Sequence, residues 1–385
     1  MRPENPSLME EQGPDRNFGD SIWWKLVVRR GEKPVKLFEC QNCGQLIYFE
    51  NTQCERCGFA LGYLPGAALM SALQPNIDGT YTPLADPSSK VVYCANREHG
   101  VCNWLIEAGS DPLCCACQLN RTILDLTQPQ NLRHWQRIEI AKHRLLYSLM
   151  RLRLPVESKA QAPQTGLAFD FLAPPPGEDG QGKILTGHDN GEITLNAVEA
   201  DEAIRAEIRQ KMHEPYRTLL GHFRHEIAHY YWERLVAGSK NYALFRASFG
   251  DETRDYGAAL QAYYANGAPG DWRMHHISAY ASSHPHEDWA ETFAHYLHMI
   301  DTLETAYAFG LRIRPRAGRD GNLAASITFD PYNQVDFDTI IEAWLPTTFA
   351  VNSINRSMGI DDLYPFVISP EVAGKLKVVH HVVRG

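Results

Sequence analysis

All nine cysteines of this 385-residue chain lie between Cys40 and Cys117, and the remaining two thirds of the sequence has none. Such segregation marks out a separate module before any secondary structure is assigned. In "FECQNCGQLIYFENTQCERCGFALGY", Cys40 and Cys43 are followed by Gly44, and Cys54 and Cys57 by Gly58. Each pair can form a knuckle in which two thiolates grip one tetrahedral zinc ion, while the glycine takes the positive φ of a tight turn. A disulfide framework does not need tight C-x-x-C-G pairs, so the spacing predicts a structural zinc site of Cys40, Cys43, Cys54 and Cys57. With so small a core, the metal would supply much of the folding energy. A second set, Cys94, Cys102, Cys114, Cys115 and Cys117, is spaced less regularly. It reads as another tetrahedral site of Cys94, Cys102, Cys114 and Cys117, with Cys115 pointing away and His99 as a substitute ligand; buried free thiols are the metal-free alternative.

Charge narrows what this module binds. Lys and Arg are not concentrated around the cysteines, Glu39, Glu50 and Glu55 sit among them, and the whole chain has a formal net charge of -9. A protein partner or a purely structural role is favoured over a grip on nucleic-acid phosphates. No stretch approaches the length of a membrane span, and the polar, proline-bearing start lacks the pattern of a signal peptide. The expected organisation is a flexible tail at 1–30, a cysteine-rich module at 31–125 and a larger domain at 126–385, in a cytoplasmic protein.

Beyond Thr127, the spacing of Trp135, Ile138, Leu145, Leu149 and Leu152 predicts a long amphipathic helix with its charges on a solvated face. A Pro/Gly-rich region from Pro155 to Gly182 follows. "KILTGHDNGEITLN" then alternates about Asp189-Asn190-Gly191, which suits a tight hairpin. Pro215 fits a helix start, with Tyr216 to Val236 as the body and Gly238 as the stop. That helix contains His225-Glu226-Ile227-Ala228-His229. One turn apart on one face, His225 and His229 can reach a common ion, and Glu226 stands beside them as a general base toward an activated water. His222 shares the face and reads as packing or support. Trp232 and Leu235 occupy the positions where a metzincin has glycine and histidine, which excludes that class.

The third ligand must come from elsewhere. "SSHPHEDWAETFAHYLHMIDTLETA" starts a second helix at Pro285, with Trp289, Phe293, Leu297 and Ile300 as its apolar stripe and Glu287 and Glu291 one turn apart on another. Glu287 is assigned as third ligand and Glu291 as the acid that holds a ligand histidine by its other ring nitrogen, with the reverse assignment left open. Tyr280, His275, His276 and His298 are candidate donors to an oxyanion. Two C-terminal helices, the last starting at Ser369-Pro370-Glu371, read as packing, with His380 and His381 not ligands.

The segments "FECQNCG", "CNWLI", "ACQLNRTI", "LAFDFL", "GHDNGEITLN", "YRTLLGHFRHEIAHYYW", "HEDWAETFAHYLHMIDTLE" and "LYPFVISP" resemble bacterial zinc-binding metallopeptidases with an N-terminal zinc ribbon. The resemblance covers nearly the whole chain after about Leu37. It implies an α+β architecture: a zinc ribbon followed by a mainly helical, gluzincin-like zincin domain with a small β-hairpin or sheet. It implies ligands at His225 and His229 and a base at Glu226, and it points to "EDWAE" without choosing between Glu287 and Glu291. Ala228 and Leu124 depart from the family pattern without touching a proposed chemical group. The expected activity is hydrolysis of peptide or protein substrates with one catalytic and one or two structural zinc ions. A catalytically silent zinc scaffold for protein interaction and a nucleic-acid-binding zinc ribbon are the rivals.

Overall fold

The computed structural model describes residues 37–174, 186–211, 218–316 and 323–385. The N-terminal tail, residues 175–185 of the Pro/Gly-rich region and Pro215 lie outside the described residues, and the helix expected from Tyr216 starts instead at Leu219, because Thr218 is extended and caps it. Strands β1 (Leu37–Glu39) and β2 (Leu46–Tyr48) pair antiparallel and flank the first cysteine knuckle. Gly44 at φ +72° and Gly58 at φ +74° take the left-handed conformation that the two C-x-x-C turns require. Four strands between the cysteine sets and one inside the second set form an antiparallel sheet: β3 (Ala60–Leu64), β4 (Leu69–Pro75), β5 (Tyr81–Pro83), β6 (Val91–Tyr93) and β7 (Leu105–Glu107). Three of these strands have only three residues. That is too short for alternation to register in the sequence.

Helix α1 (Pro129–Arg151) buries Trp135, Ile138, Leu145 and Leu149, as their spacing predicts. Its charged residues are solvated only in part: Arg133, Arg137 and Arg144 are exposed as expected, but Glu139 and Lys142 are 0 % exposed and His143 is 4 %. The cause is packing on both sides. On one side the ring of Tyr147 lies 5.4 Å from Phe49, and His143 lies 4.9 Å from Trp104. On the other, β8 (Asn120–Thr122) joins a four-stranded sheet with β9 (Ala168–Leu172), β10 (Gly187–Asp189) and β11 (Glu192–Asn196), in the order β10-β11-β9-β8. Strand β9 runs parallel to β8 and β11, and Arg121 of β8 pairs with Asp170 and Glu192 across the sheet. One apolar core therefore runs from Phe38 near the start of the cysteine-rich part to Val383 near the end of the chain.

The rest is helical: α2 (Glu202–Lys211), α3 (Leu219–Leu235), α4 (Tyr242–Phe249), α5 (Tyr256–Asn266), α6 (Trp272–His275), α7 (Pro285–Ala308), α8 (Phe337–Ser357) and α9 (Pro370–Arg384). A two-stranded ribbon, β12 (Arg312–Ile313) with β13 (Ala325–Ser326), sits between α7 and α8. The Thr218 side chain caps α3, accepting from Gly221 N at 2.9 Å. Helix α7 begins with Pro285 in its first turn, and the His284 ring caps it by accepting from His286 N at 3.2 Å. Ser369 caps α9 through Val372 N at 3.1 Å. His380 is buried between the Tyr296 hydroxyl and the Val335 carbonyl.

The hairpin β10-β11 turns through Asn190 at φ +46° and Gly191 at φ +80°. Two successive residues in the left-handed region define the tight turn that matches strand twist. Gly191 has a second reason to lack a side chain, because a Cβ there would lie 2.3 Å from the Gly166 carbonyl oxygen. Gly191→Ala is therefore expected to destabilise the protein by about 1–3 kcal/mol. Urea denaturation followed by circular dichroism would read this directly, and an unchanged midpoint would contradict the close approach.

Candidate metal and catalytic centre

Helical periodicity places His225 and His229 one turn apart on α3, and Glu287 and Glu291 one turn apart on α7. The helices are locked together beside these residues. Trp289 Nε1 donates to the Ala228 carbonyl at 2.9 Å, and the Phe293 ring stacks on Tyr231 at 5.8 Å. Across this contact the two imidazole Nε2 atoms lie 3.3 Å apart. Glu287 Oε2 is 3.0 Å from His225 Nε2, and Glu287 Oε1 is 3.6 Å from His229 Nε2. Nitrogen and oxygen ligands about 2.1 Å from a tetrahedral zinc lie about 3.3–3.4 Å from one another. The three separations cluster about that value. Glu287 is 1 % exposed, and its Oε2 makes no hydrogen bond to a described residue. A buried carboxylate oxygen without a donor, set against two imidazole nitrogens, fits a divalent cation.

Supporting groups fix the orientation of these atoms. His225 Nδ1 meets Glu291 Oε1 at 2.8 Å, and Ser278 donates to the other oxygen of Glu291 at 2.6 Å. A carboxylate accepts, so Nδ1 carries the hydrogen and Nε2 is turned toward Glu287 and His229. The Tyr256 hydroxyl donates to Glu287 Oε1 at 2.7 Å. Burial works against ionisation of Glu287, but His225, His229 and Tyr256 hold its carboxyl well below the usual range. Burial likewise opposes a charge on His225, yet Glu287 and Glu291 raise its pKa well above normal. For His229 burial outweighs the opposing pull of Glu287 and lowers it to about 3. Glu226, 9 % exposed, is raised by burial first and by the nearby carboxylates of Glu287 and Glu199.

Of the four expected oxyanion donors, the structure brings one to the centre. The Tyr280 ring lies 6.0 Å from that of His225, and Tyr263 of α5 lies 5.8 Å beyond it. His275 pairs with Glu371 at 2.6 Å, His276 with Asp288 at 3.0 Å and His298 with Arg224 at 2.5 Å, so their rings are engaged by other partners. His222 lies 2.5 Å from Glu199. Tyr256, Ser278 and His188 were not singled out by sequence. Tyr256 and Ser278 belong to no motif that could have announced them. His188 had a faint signal, as the histidine of the hairpin that precedes the HEIAH helix. Its ring stacks on His229 at 6.2 Å, its Nε2 accepts from Gly191 N at 2.8 Å, and burial lowers it to about 4.

The cysteines form two compact clusters, Cys40, Cys43, Cys54, Cys57 and Cys94, Cys102, Cys114, Cys117, each with its sulfurs within 4.8 Å of one another. Measured pairs are Cys40 to Cys57 at 3.7 Å, Cys43 to Cys54 at 3.6 Å and Cys102 to Cys114 at 3.7 Å. Four thiolates about 2.3 Å from a tetrahedral zinc lie about 3.8 Å apart, whereas a disulfide needs about 2.0 Å. Cys115 is exposed, and His99 sits beside Glu98 at 3.2 Å, so neither joins the second cluster. His143, which sequence did not single out, does approach it, with Nε2 3.5 Å from Cys102 Sγ.

Comparison with known proteins points to zinc in both parts of the chain. Residues 37–128 match a family described as a zinc-ribbon domain. Proteins of Mycobacterium tuberculosis and Mycobacterium bovis, each named only as uncharacterized, are 42 % identical over 350 residues, covering 90 % of this chain and 94 % of theirs. No solved structure matches the chain. Among the described residues no helix is long and apolar enough to cross a membrane. Residues 131–382 match the family described as "Putative zinc-binding metallo-peptidase", and the chain belongs to that family.

Proposed function

We propose that the chain is a zinc-dependent peptidase in which His225, His229 and Glu287 hold the catalytic ion and Glu226 is the general base. The observation that carries this reading is the spacing of Nε2, Nε2 and carboxylate at 3.3, 3.0 and 3.6 Å. Zinc bound there supplies Lewis acidity, which acidifies a water and polarises a carbonyl. Glu226 takes the proton from the attacking water and later delivers it to the leaving nitrogen; burial makes its carboxylate a better base than an exposed one. Glu291 and Ser278 keep the His225 ring in the orientation that leaves Nε2 for the ion. The Tyr280 hydroxyl is the donor assigned to the oxyanion, since its ring stands beside His225. Strand β10 ends the four-stranded sheet among the described residues and carries His188 beside His229. An extended peptide added along that edge would place its backbone carbonyl near the centre. The cysteine clusters are assigned one structural zinc each.

Three predictions test this assignment. Glu226→Gln is expected to keep its zinc and lose about 10²–10⁴-fold in kcat/KM on a cleavable peptide. Equal behaviour of variant and wild type on every substrate would instead favour a zinc-binding scaffold. Purified wild type is expected to carry about three zinc ions per chain, falling by one when His225 and His229 are both replaced. In the same measurements Glu291→Ala is expected to weaken binding of that one ion about 10–100-fold in competition with a chelator, and unchanged affinity would remove Glu291 from its assigned role.

A further inference from the structure

The second cysteine cluster contains a polar contact that the four thiols do not account for. Cys94, Cys102, Cys114 and Cys117 are all buried with sulfurs within 4.8 Å of one another. Two backbone amides donate to them, Trp104 N to Cys102 Sγ at 3.4 Å and Cys114 N to Cys94 Sγ at 3.3 Å. A third group arrives from the middle of α1: His143 Nε2, 3.5 Å from Cys102 Sγ. Its Nδ1 lies 2.7 Å from the Glu139 carbonyl oxygen, and its ring is wedged against Trp104 at 4.9 Å. A carbonyl only accepts, so Nδ1 carries a hydrogen, and the ring is held with Nε2 facing the sulfurs. The cysteines fall in the part that matches a zinc ribbon, and His143 falls in the part that matches the metallopeptidase family.

We propose that His143 completes the second zinc centre from across this boundary, donating Nε2–H to the Cys102 thiolate, so that zinc loading and docking of the ribbon onto α1 are one event. This rests on the reading of the four cysteines as a zinc site. Four thiolates around a divalent ion carry a net charge of about −2, and burying it is unfavourable unless donors surround it. The two amides offset part of that charge, and an imidazolium donating from both nitrogens offsets more. Lys142, the next cation along α1, does not serve, because its ammonium is held by Glu139 at 2.9 Å and by Asn120. His143 is not needed as a ligand, since four thiolates already fill a tetrahedral shell.

The test is zinc release from the full-length protein to a chromophoric chelator, comparing wild type with His143→Leu and His143→Gln. Leucine keeps bulk without a donor, whereas glutamine keeps an N–H. One zinc equivalent is expected to leave His143→Leu about 10–100-fold faster, with the other equivalents unchanged and His143→Gln close to wild type. Identical release from all three proteins, or acceleration of every equivalent together, would overturn the proposal. If the variants do not fold, wild type loaded with NMR-active cadmium and labelled at histidine decides the matter. Correlation of the His143 Nε2 proton with cadmium through sulfur is expected, and a direct cadmium–nitrogen coupling or no correlation would overturn it. Should these four thiols titrate as free in zinc-loaded wild type, the underlying zinc assignment fails rather than the role of His143.

Discussion

The contact between α3 and α7 decides whether there is a centre at all. Glu287 is 1 % exposed, and a buried carboxylate opposes close approach by several kcal/mol unless something holds the helices together. Trp289, Phe293 and Tyr231, all at 0 % exposure, provide that force. Each such ring removes roughly 150–250 Å² from water, or about 4–6 kcal/mol, which is comparable with the opposing term. The Trp289–Ala228 hydrogen bond then fixes register, because it anchors inside the HEIAH turn itself. Apolar packing on one side of α7 thus sets the positions of the acidic residues on the other.

Helix α1 solves a similar problem at the boundary between the cysteine-rich and helical parts. Away from the exposed Arg133, Arg137 and Arg144 the helix is covered, and the polar residues there are neutralised in place: Lys142 with Glu139 at 2.9 Å, and Arg151 with Glu304 at 2.8 Å and Asp330 at 2.7 Å. The Tyr332 hydroxyl donates to Ser148 of α1 at 2.9 Å and lies 3.3 Å from Asp301 of α7, which in turn binds Arg224, the residue before His225. Removing one member of a buried pair leaves the other uncompensated at a cost of about 3–5 kcal/mol. Helix α1 is therefore tied to the other helices by polar pairs as well as by the apolar core.

Much of this was legible in the sequence for physical reasons. The cysteine knuckles and their glycines announce themselves because metal geometry and positive φ leave few alternatives, and the Asn190-Gly191 turn does so for the same backbone reason. Helices α1 and α7 show through their apolar spacing, and α3 through the HEIAH motif and the Gly238 that stops it. The five-stranded sheet did not show, because three-residue strands have no measurable period. The burial of Glu139, Lys142 and His143 was misread as a solvated face, since one helix in isolation reveals its polar residues but not that a second surface covers them. Tyr256 and Ser278 reach the centre from connecting segments, where side-chain direction is set by tertiary packing alone.

The choice between Glu287 and Glu291 illustrates where sequence stops and geometry begins. Both acids lie on one stripe of α7, separated by about one helical turn, or about 5.4 Å along the axis. Spacing alone permits either to face the histidines. The crossing of α3 settles which ring nitrogen each one meets: Glu287 reaches His225 Nε2 at 3.0 Å, and Glu291 reaches Nδ1 of the same ring at 2.8 Å. One imidazole thus spans the two acids. An ion at the shared Nε2 side gains a second imidazole, His229, whereas the Nδ1 side is taken up by Glu291, which Ser278 holds by its other oxygen. Two acids one turn apart are therefore not alternatives but the two ends of a single positioned ring.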